Sequence, residues 1–145
     1  MNKILFLCTG NYYRSRFAEN LFNWLASKQG LDWQADSRGL GLEHGTNNVG
    51  AISSYAAEAL ALRLVTIPDD ERFPKRVTEE DFQAAVRIIA LDESEHRPLM
   101  NERFPQWVDK IEYWLVHDID QTSPAAALEK IENNLLQLIQ QLAQS

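Results

Sequence analysis

Four short apolar runs punctuate the chain, at residues 3–8, 33–37, 86–91 and 111–116. Each is hydrophobic without clean alternation over its centre, which is how strands covered on both faces read. Between them the period becomes helical. Phe17, Leu21, Phe22 and Leu25 make one apolar stripe, closed by Gly30. Residues 51–62 and 92–101 predict two further helices, and residues 78–82 a shorter one. The clearest stripe is the last. Leu128, Ile131, Leu135, Leu138 and Leu142 recur at steps of three and four, after a capping Ser123 and a first-turn Pro124. That face is expected to pack on the chain's own sheet. Strands alternating with helices predict one α/β domain over residues 1–145, a doubly wound, four-stranded parallel sheet with flanking helices. Ligands of such sheets bind at the carboxyl ends of the strands.

Composition narrows the function classes. A chain of 145 residues, 45% hydrophobic and 24% charged, can bury a proper core. Its single cysteine excludes an internal disulfide framework and an all-cysteine metal site. No apolar run reaches membrane-spanning length, and residues 4–7 are too short for a signal-peptide core. A reducing cytoplasm is the expected compartment, with no membrane partner. The net charge of −7 speaks against nucleic-acid binding, which needs basic surface.

The candidate chemistry follows the first strand. Cys8-Thr9-Gly10-Asn11-Tyr12-Tyr13-Arg14-Ser15 places a cysteine and an arginine, with five residues between them, between a strand and a helix. Backbone N–H groups from Thr9 to Ser15 and the helix N-terminus can cradle an anion. The Arg14 guanidinium can grip it as a fork. The same positive field favours a nucleophilic thiolate at Cys8, and Ser15 is placed to donate a hydrogen bond to it. Gly10 and Asn11 tolerate the left-handed backbone that a tight nest requires. A buried core cysteine would explain Cys8 but not the four residues spaced behind it.

This segment resembles the active-site loop of the low-molecular-weight protein tyrosine phosphatases, Cys-x-Gly-Asn-x-x-Arg-Ser, with Ala18 and Glu19 following as in that family and Arg16 in place of its usual proline. Ser37-Arg38-Gly39, the stretch at 77–82, Leu91-Asp92-Glu93-Ser94 and Val116-His117-Asp118 resemble further family segments, so the likeness spans the chain. It implies a flavodoxin-like fold and a metal-independent hydrolase with no cofactor. The implied reaction passes through a phosphocysteine intermediate, with phosphorylated proteins or small aryl phosphates as substrates. By the same resemblance Asp118 is the general acid, with Asp120 as runner-up, and Asn11 and Ser37 brace the loop. His44, His96 and His117 show no ligand spacing and are expected at the surface, His117 adjoining the acid. The chain is expected to act as a monomer or weak homodimer.

Several positions depart from the family. Ile119-Asp120-Gln121 stands where proline and aromatic residues usually follow the acid, implying a more mobile loop. Glu43 would repel an anionic substrate. Tyr12 and Tyr13 lie inside the loop and are placed to stack on an aromatic one. Three rival readings fit the same loop: a non-hydrolysing phosphoprotein-binding module, an arsenate reductase using an external thiol, and a phosphocarrier with a long-lived phosphocysteine.

Overall fold

The computed structural model describes residues 1–144. The four apolar runs become β1 (Asn2–Cys8), β2 (Trp33–Gly39), β3 (Arg87–Ala90) and β4 (Glu112–Tyr113). They form one parallel sheet in the order β2-β1-β3-β4. The helices are α1 (Arg14–Lys28), α2 (Ser54–Leu62), α3 (Glu79–Ala84), α4 (Glu93–Arg103) and α5 (Pro124–Ala143).

The sheet is covered on both faces, as the continuous apolar runs require. Ile4 and Phe6 of β1 pack with α1, α2 and α5 through Phe17, Phe22, Leu60, Ile131 and Leu135. Leu5 and Leu7 point the other way, onto Phe82 of α3 and Met100 of α4. Each large side chain buried this way stabilises the fold by about 1.5–3 kcal/mol relative to exposure. The C-terminal stripe faces this core, with Leu128, Ile131, Leu135, Leu138 and Leu142 all buried. Among the described residues no helix is long and apolar enough to cross a membrane.

Three elements differ from the sequence pattern. The helix expected from residue 51 starts at Ser54, because the Ser53 side chain accepts the Tyr55 N–H and sets the cap there. At the sheet edge, β2 alternates rather than running apolar throughout. The fourth strand is cut to two residues. β3 ends at Ala90 because the chain turns at Asp92, which caps α4, so little strand is left to pair with. Single bonds continue the contact: Trp114 N–H to the Ala90 carbonyl and Val116 N–H to the Leu91 carbonyl, each 2.8 Å. They carry residues 114–118 to the carboxyl end of β1.

Candidate active site

Cys8 ends β1 and is buried, and the chain turns from it into α1 within five residues. Of the two residues able to tolerate the left-handed conformation, Asn11 takes it, at φ 50°, and Gly10 does not. Gly39 matters through close approach: a Cβ there would lie 2.8 Å from the Thr9 carbonyl oxygen. Leu40 and Gly41 donate to the carbonyls of Cys8 and Thr9, fastening the loop to the end of β2.

The helix N-terminus is open. Helices α2, α3, α4 and α5 each begin with a side-chain cap, from Ser53, Thr78, Asp92 and Ser123. Tyr13, the N-cap of α1, supplies none, and the first turn holds no acidic residue. Among the described residues, no backbone carbonyl accepts an N–H from residues 9–13. Free donors and an uncapped helix dipole converge beside Cys8, an arrangement suited to an anion.

The hydrogen-bond chain behind Cys8 has one consistent direction. Asn11 Oδ1 accepts from Arg72 Nη1 and from the Lys75 N–H, both at 3.0 Å. Its Nδ2 therefore faces Ser15 Oγ and Ser37 Oγ, both at 2.9 Å. Ser37 donates its own hydrogen to Glu19. Ser15 Oγ accepts from Asn11, leaving its hydrogen for Cys8 Sγ at 2.9 Å. Asn11, Ser15 and Ser37 thus meet as expected. Arg72 and Glu19 complete the chain, although Arg72 stands 61 residues from Asn11 and no local pattern marks it.

Arg14 is nearly buried beside Cys8. Its Nη1 donates to the Val116 carbonyl at 2.9 Å, which fixes the guanidinium plane. Burial works against the cation, but Cys8, Glu95 and Asp118 outweigh it and make Arg14 more basic than usual. Asp92 Oδ2 lies 3.7 Å from Nη1, while Asp118 Oδ2 lies 3.5 Å and Glu95 Oε2 2.9 Å from Nη2. Burial would push the Asp92 carboxyl up, but Ser94, His117 and Arg14 hold it below the ordinary range. Asp118 sits on the cleft with its side chain 44% exposed. The Ile119 N–H donates to Asp118 Oδ1 at 2.8 Å, a bond that proline could not make. The neighbouring Asp120 is exposed and does not line the cleft.

Glu95 is the unexpected member. Its Oε2 receives Arg14 Nη2, the Thr9 hydroxyl and His96 Nε2. Burial opposes its charge, but His96, Arg14 and Thr9 hold it far below the usual carboxylate range. His96 is fully buried, which corrects its expected surface place. Its Nδ1 accepts the Asp92 N–H at 3.0 Å, so the ring proton resides on Nε2 and points to Glu95 and Thr9. Burial lowers its pKa and keeps it neutral. His117, also expected at the surface, is only partly exposed, and its Nδ1 lies 3.0 Å from Asp92 Oδ2. His44 is exposed at the cleft edge.

The cleft above the loop encloses about 700 Å³. Tyr12 and the half-exposed Tyr55 line it, and Tyr12 donates to the Val49 carbonyl. Tyr13 also lines it but is 8% exposed, so it offers a substrate far less ring than its sequence position promised. Glu43 is tied to Arg103 and lies 3.9 Å from Arg76, outside the cleft lining, so its charge is answered locally. Among the described residues no group of His, Cys, Asp and Glu is arranged to hold a metal ion.

Residues 3–145 match the family model described as low molecular weight phosphotyrosine protein phosphatase. A protein-arginine-phosphatase of Bacillus subtilis is 29% identical over 109 residues, covering 74% of this chain and 67% of that protein. The low molecular weight protein-tyrosine-phosphatase YfkJ of the same organism is 36% identical over 94 residues, covering 63% of this chain and 57% of that protein. The crystal structure of a low molecular weight protein tyrosine phosphatase from T. tengcongensis is similar over 99% of both chains, with a TM-score of 0.76 and 29% identity.

Proposed function

The chain belongs to the low molecular weight phosphotyrosine protein phosphatases, and from that premise we propose that it dephosphorylates protein side chains, phosphotyrosine foremost. The family makes it a cysteine-dependent, metal-independent phosphatase. Assigning the roles residue by residue rests on one observation: Cys8, Arg14 and Asp118 converge on a single cleft over the uncapped N-terminus of α1.

In the proposed reaction the N–H groups of residues 9–15 and the Arg14 fork hold the phosphoryl oxygens. The Cys8 thiolate, steadied by the Ser15 hydrogen, attacks phosphorus. The S–P bond forms, the P–O bond breaks, and the leaving oxygen takes a proton from Asp118. Asp118 then removes a proton from water, whose oxygen attacks phosphorus and releases phosphate and the thiolate. Asn11 and Ser37 hold Ser15 in direction. Tyr12 and Tyr55 supply aromatic walls suited to a phenyl ring. A cytoplasmic monomer or weak homodimer belongs to the same proposal.

The test is metal-free hydrolysis of p-nitrophenyl phosphate. Cys8→Ser should abolish turnover, and Asp118→Asn should slow it by roughly 10²–10⁴-fold, the range of a lost general acid. Full activity in Cys8→Ser would refute the nucleophile, and an unchanged Asp118→Asn would refute the acid. Wild-type binding of phosphotyrosine without turnover would return the chain to the binding-module reading.

A further inference from the structure

Carboxylates crowd Arg14 and offset the pull that the open α1 N-terminus exerts on a bare phosphate dianion. One guanidinium faces three carboxylates, Glu95 at 2.9 Å, Asp118 at 3.5 Å and Asp92 at 3.7 Å. Among the charged side chains that line the cleft, Arg14 is the sole Lys or Arg, against Glu95, Glu102 and Asp118. Asp92 is the buried helix cap and Asp118 the proposed acid. Glu95 serves neither purpose, yet it takes one hydrogen of Nη2, on the guanidinium whose Nη1 donates to the Val116 carbonyl. It is also seated by design of its surroundings. Thr9 and His96 both direct donors at the same oxygen, and His96 is locked by the Asp92 N–H. A phosphoryl group gripped by Nη2 must therefore share that nitrogen with a carboxylate.

We propose that Glu95 is a specificity-determining residue, selecting phosphoryl groups that arrive with a positive charge beside the phosphorus over bare aryl phosphates. This deepens the reading of the Cys8 loop as a phosphatase site and rests on it. The shared chemistry is a guanidinium within reach of Glu95 and Asp118. It comes either from the phosphorylated residue itself, an N-phosphorylated arginine, or from an arginine flanking a phosphotyrosine. A planar guanidinium also suits the faces of Tyr12 and Tyr55. With N-phosphoarginine the S–P bond forms as the P–N bond breaks. The departing nitrogen takes the Asp118 proton, so arginine leaves as its ordinary cation and water then cleaves the S–P bond.

The experiment compares wild type, Glu95→Gln and Glu95→Asp on four substrates. These are p-nitrophenyl phosphate, a phosphotyrosine peptide flanked by glutamates, the same peptide flanked by arginines, and an N-phosphoarginine peptide. Glu95→Gln keeps the size and the acceptor oxygen while removing the charge. It should lower KM for p-nitrophenyl phosphate and Ki for inorganic phosphate, each by about tenfold, ~1.4 kcal/mol. The preference for cation-bearing substrates should shrink by a similar factor. Glu95→Asp, which retains the charge, should keep the preference. Whichever arginine source loses more kcat/KM in Glu95→Gln is the one the site reads. Equal effects on all four substrates, or an unchanged phosphate Ki, would overturn the proposal while leaving the phosphatase reading intact. If wild type turns over none of them, the phosphatase reading fails. Phosphate titration by calorimetry then still decides Glu95: tighter binding in Glu95→Gln supports it, and equal binding refutes it.

Discussion

Tyr13 carries an unusual burden for a loop residue. Its ring belongs to the core beside Phe17, while its hydroxyl is buried without a hydrogen-bond partner. Burial, reinforced by the Asp118 charge, pushes its pKa up to about 12. A phenol in the unfolded chain titrates near ~10. Because the folded value is raised, its contribution to stability is complete below pH ~10 and is lost as pH climbs from there toward 12. Tyr13→Phe should remove both liabilities. An orphaned buried hydroxyl costs roughly 1–3 kcal/mol, so urea denaturation at pH 7 should show the variant more stable by about 1 kcal/mol. The advantage should widen at pH ~11. A less stable variant would mean that the hydroxyl has found a partner in solution.

At the scale of elements, α1 does two jobs with opposite ends of its first turn. Its backbone N–H groups remain open to an anion while Arg16 ties the helix into its surroundings. Arg16 is fully buried, and its guanidinium donates to the carbonyls of Ala51 and Arg72 at 2.9 and 2.8 Å. It also lies 3.3 Å from Glu71. Burial, with the Arg72 charge added, lowers its pKa. Removing one partner from such a buried set typically costs about 3–5 kcal/mol, so Arg16→Ala should lose about 3 kcal/mol in urea denaturation. Lysine should rescue little, since a single ammonium cannot span both carbonyls as a planar fork does. A loss below ~0.5 kcal/mol would show that water replaces the clamp. The helices were readable because each cap and stripe is local: Ser123-Pro124 and the leucines behind it fix α5 from sequence alone. The fourth strand was readable in place but not in length, because its end depends on where β3 gives way to the Asp92 cap. Cys8, Arg14 and Ser15 declare themselves through spacing along one loop. Glu95, His96 and Arg72 do not, because they reach the loop from other elements, 81 residues from Arg14 in the case of Glu95. Spacing along the chain carries no trace of that packing.

For the molecule as a whole, what stands out is how little of its chemistry is duplicated. It carries one cysteine in 145 residues, and that cysteine is the proposed nucleophile. Tyr13 fills the loop position at which many members of the resembling family carry a second cysteine able to trap an oxidised nucleophile as a disulfide. No other thiol exists anywhere in the chain to do so. A thiolate attacked by hydrogen peroxide first becomes a sulfenic acid, and without a resolving thiol the next encounter carries it to sulfinic acid. Thiol reductants reverse the first step but not the second. Prolonged peroxide treatment of the purified protein should therefore abolish p-nitrophenyl phosphate hydrolysis, and dithiothreitol should not restore it. Mass spectrometry of the Cys8 peptide should show two added oxygens. Inorganic phosphate present during treatment should slow the loss, because an anion over the α1 N-terminus covers the sulfur. Full recovery with dithiothreitol would sink the idea. It would point to a reversible sulfenyl state protected within the loop, where the Ser15 hydrogen bond and the burial of Cys8 shield it from a second oxidant.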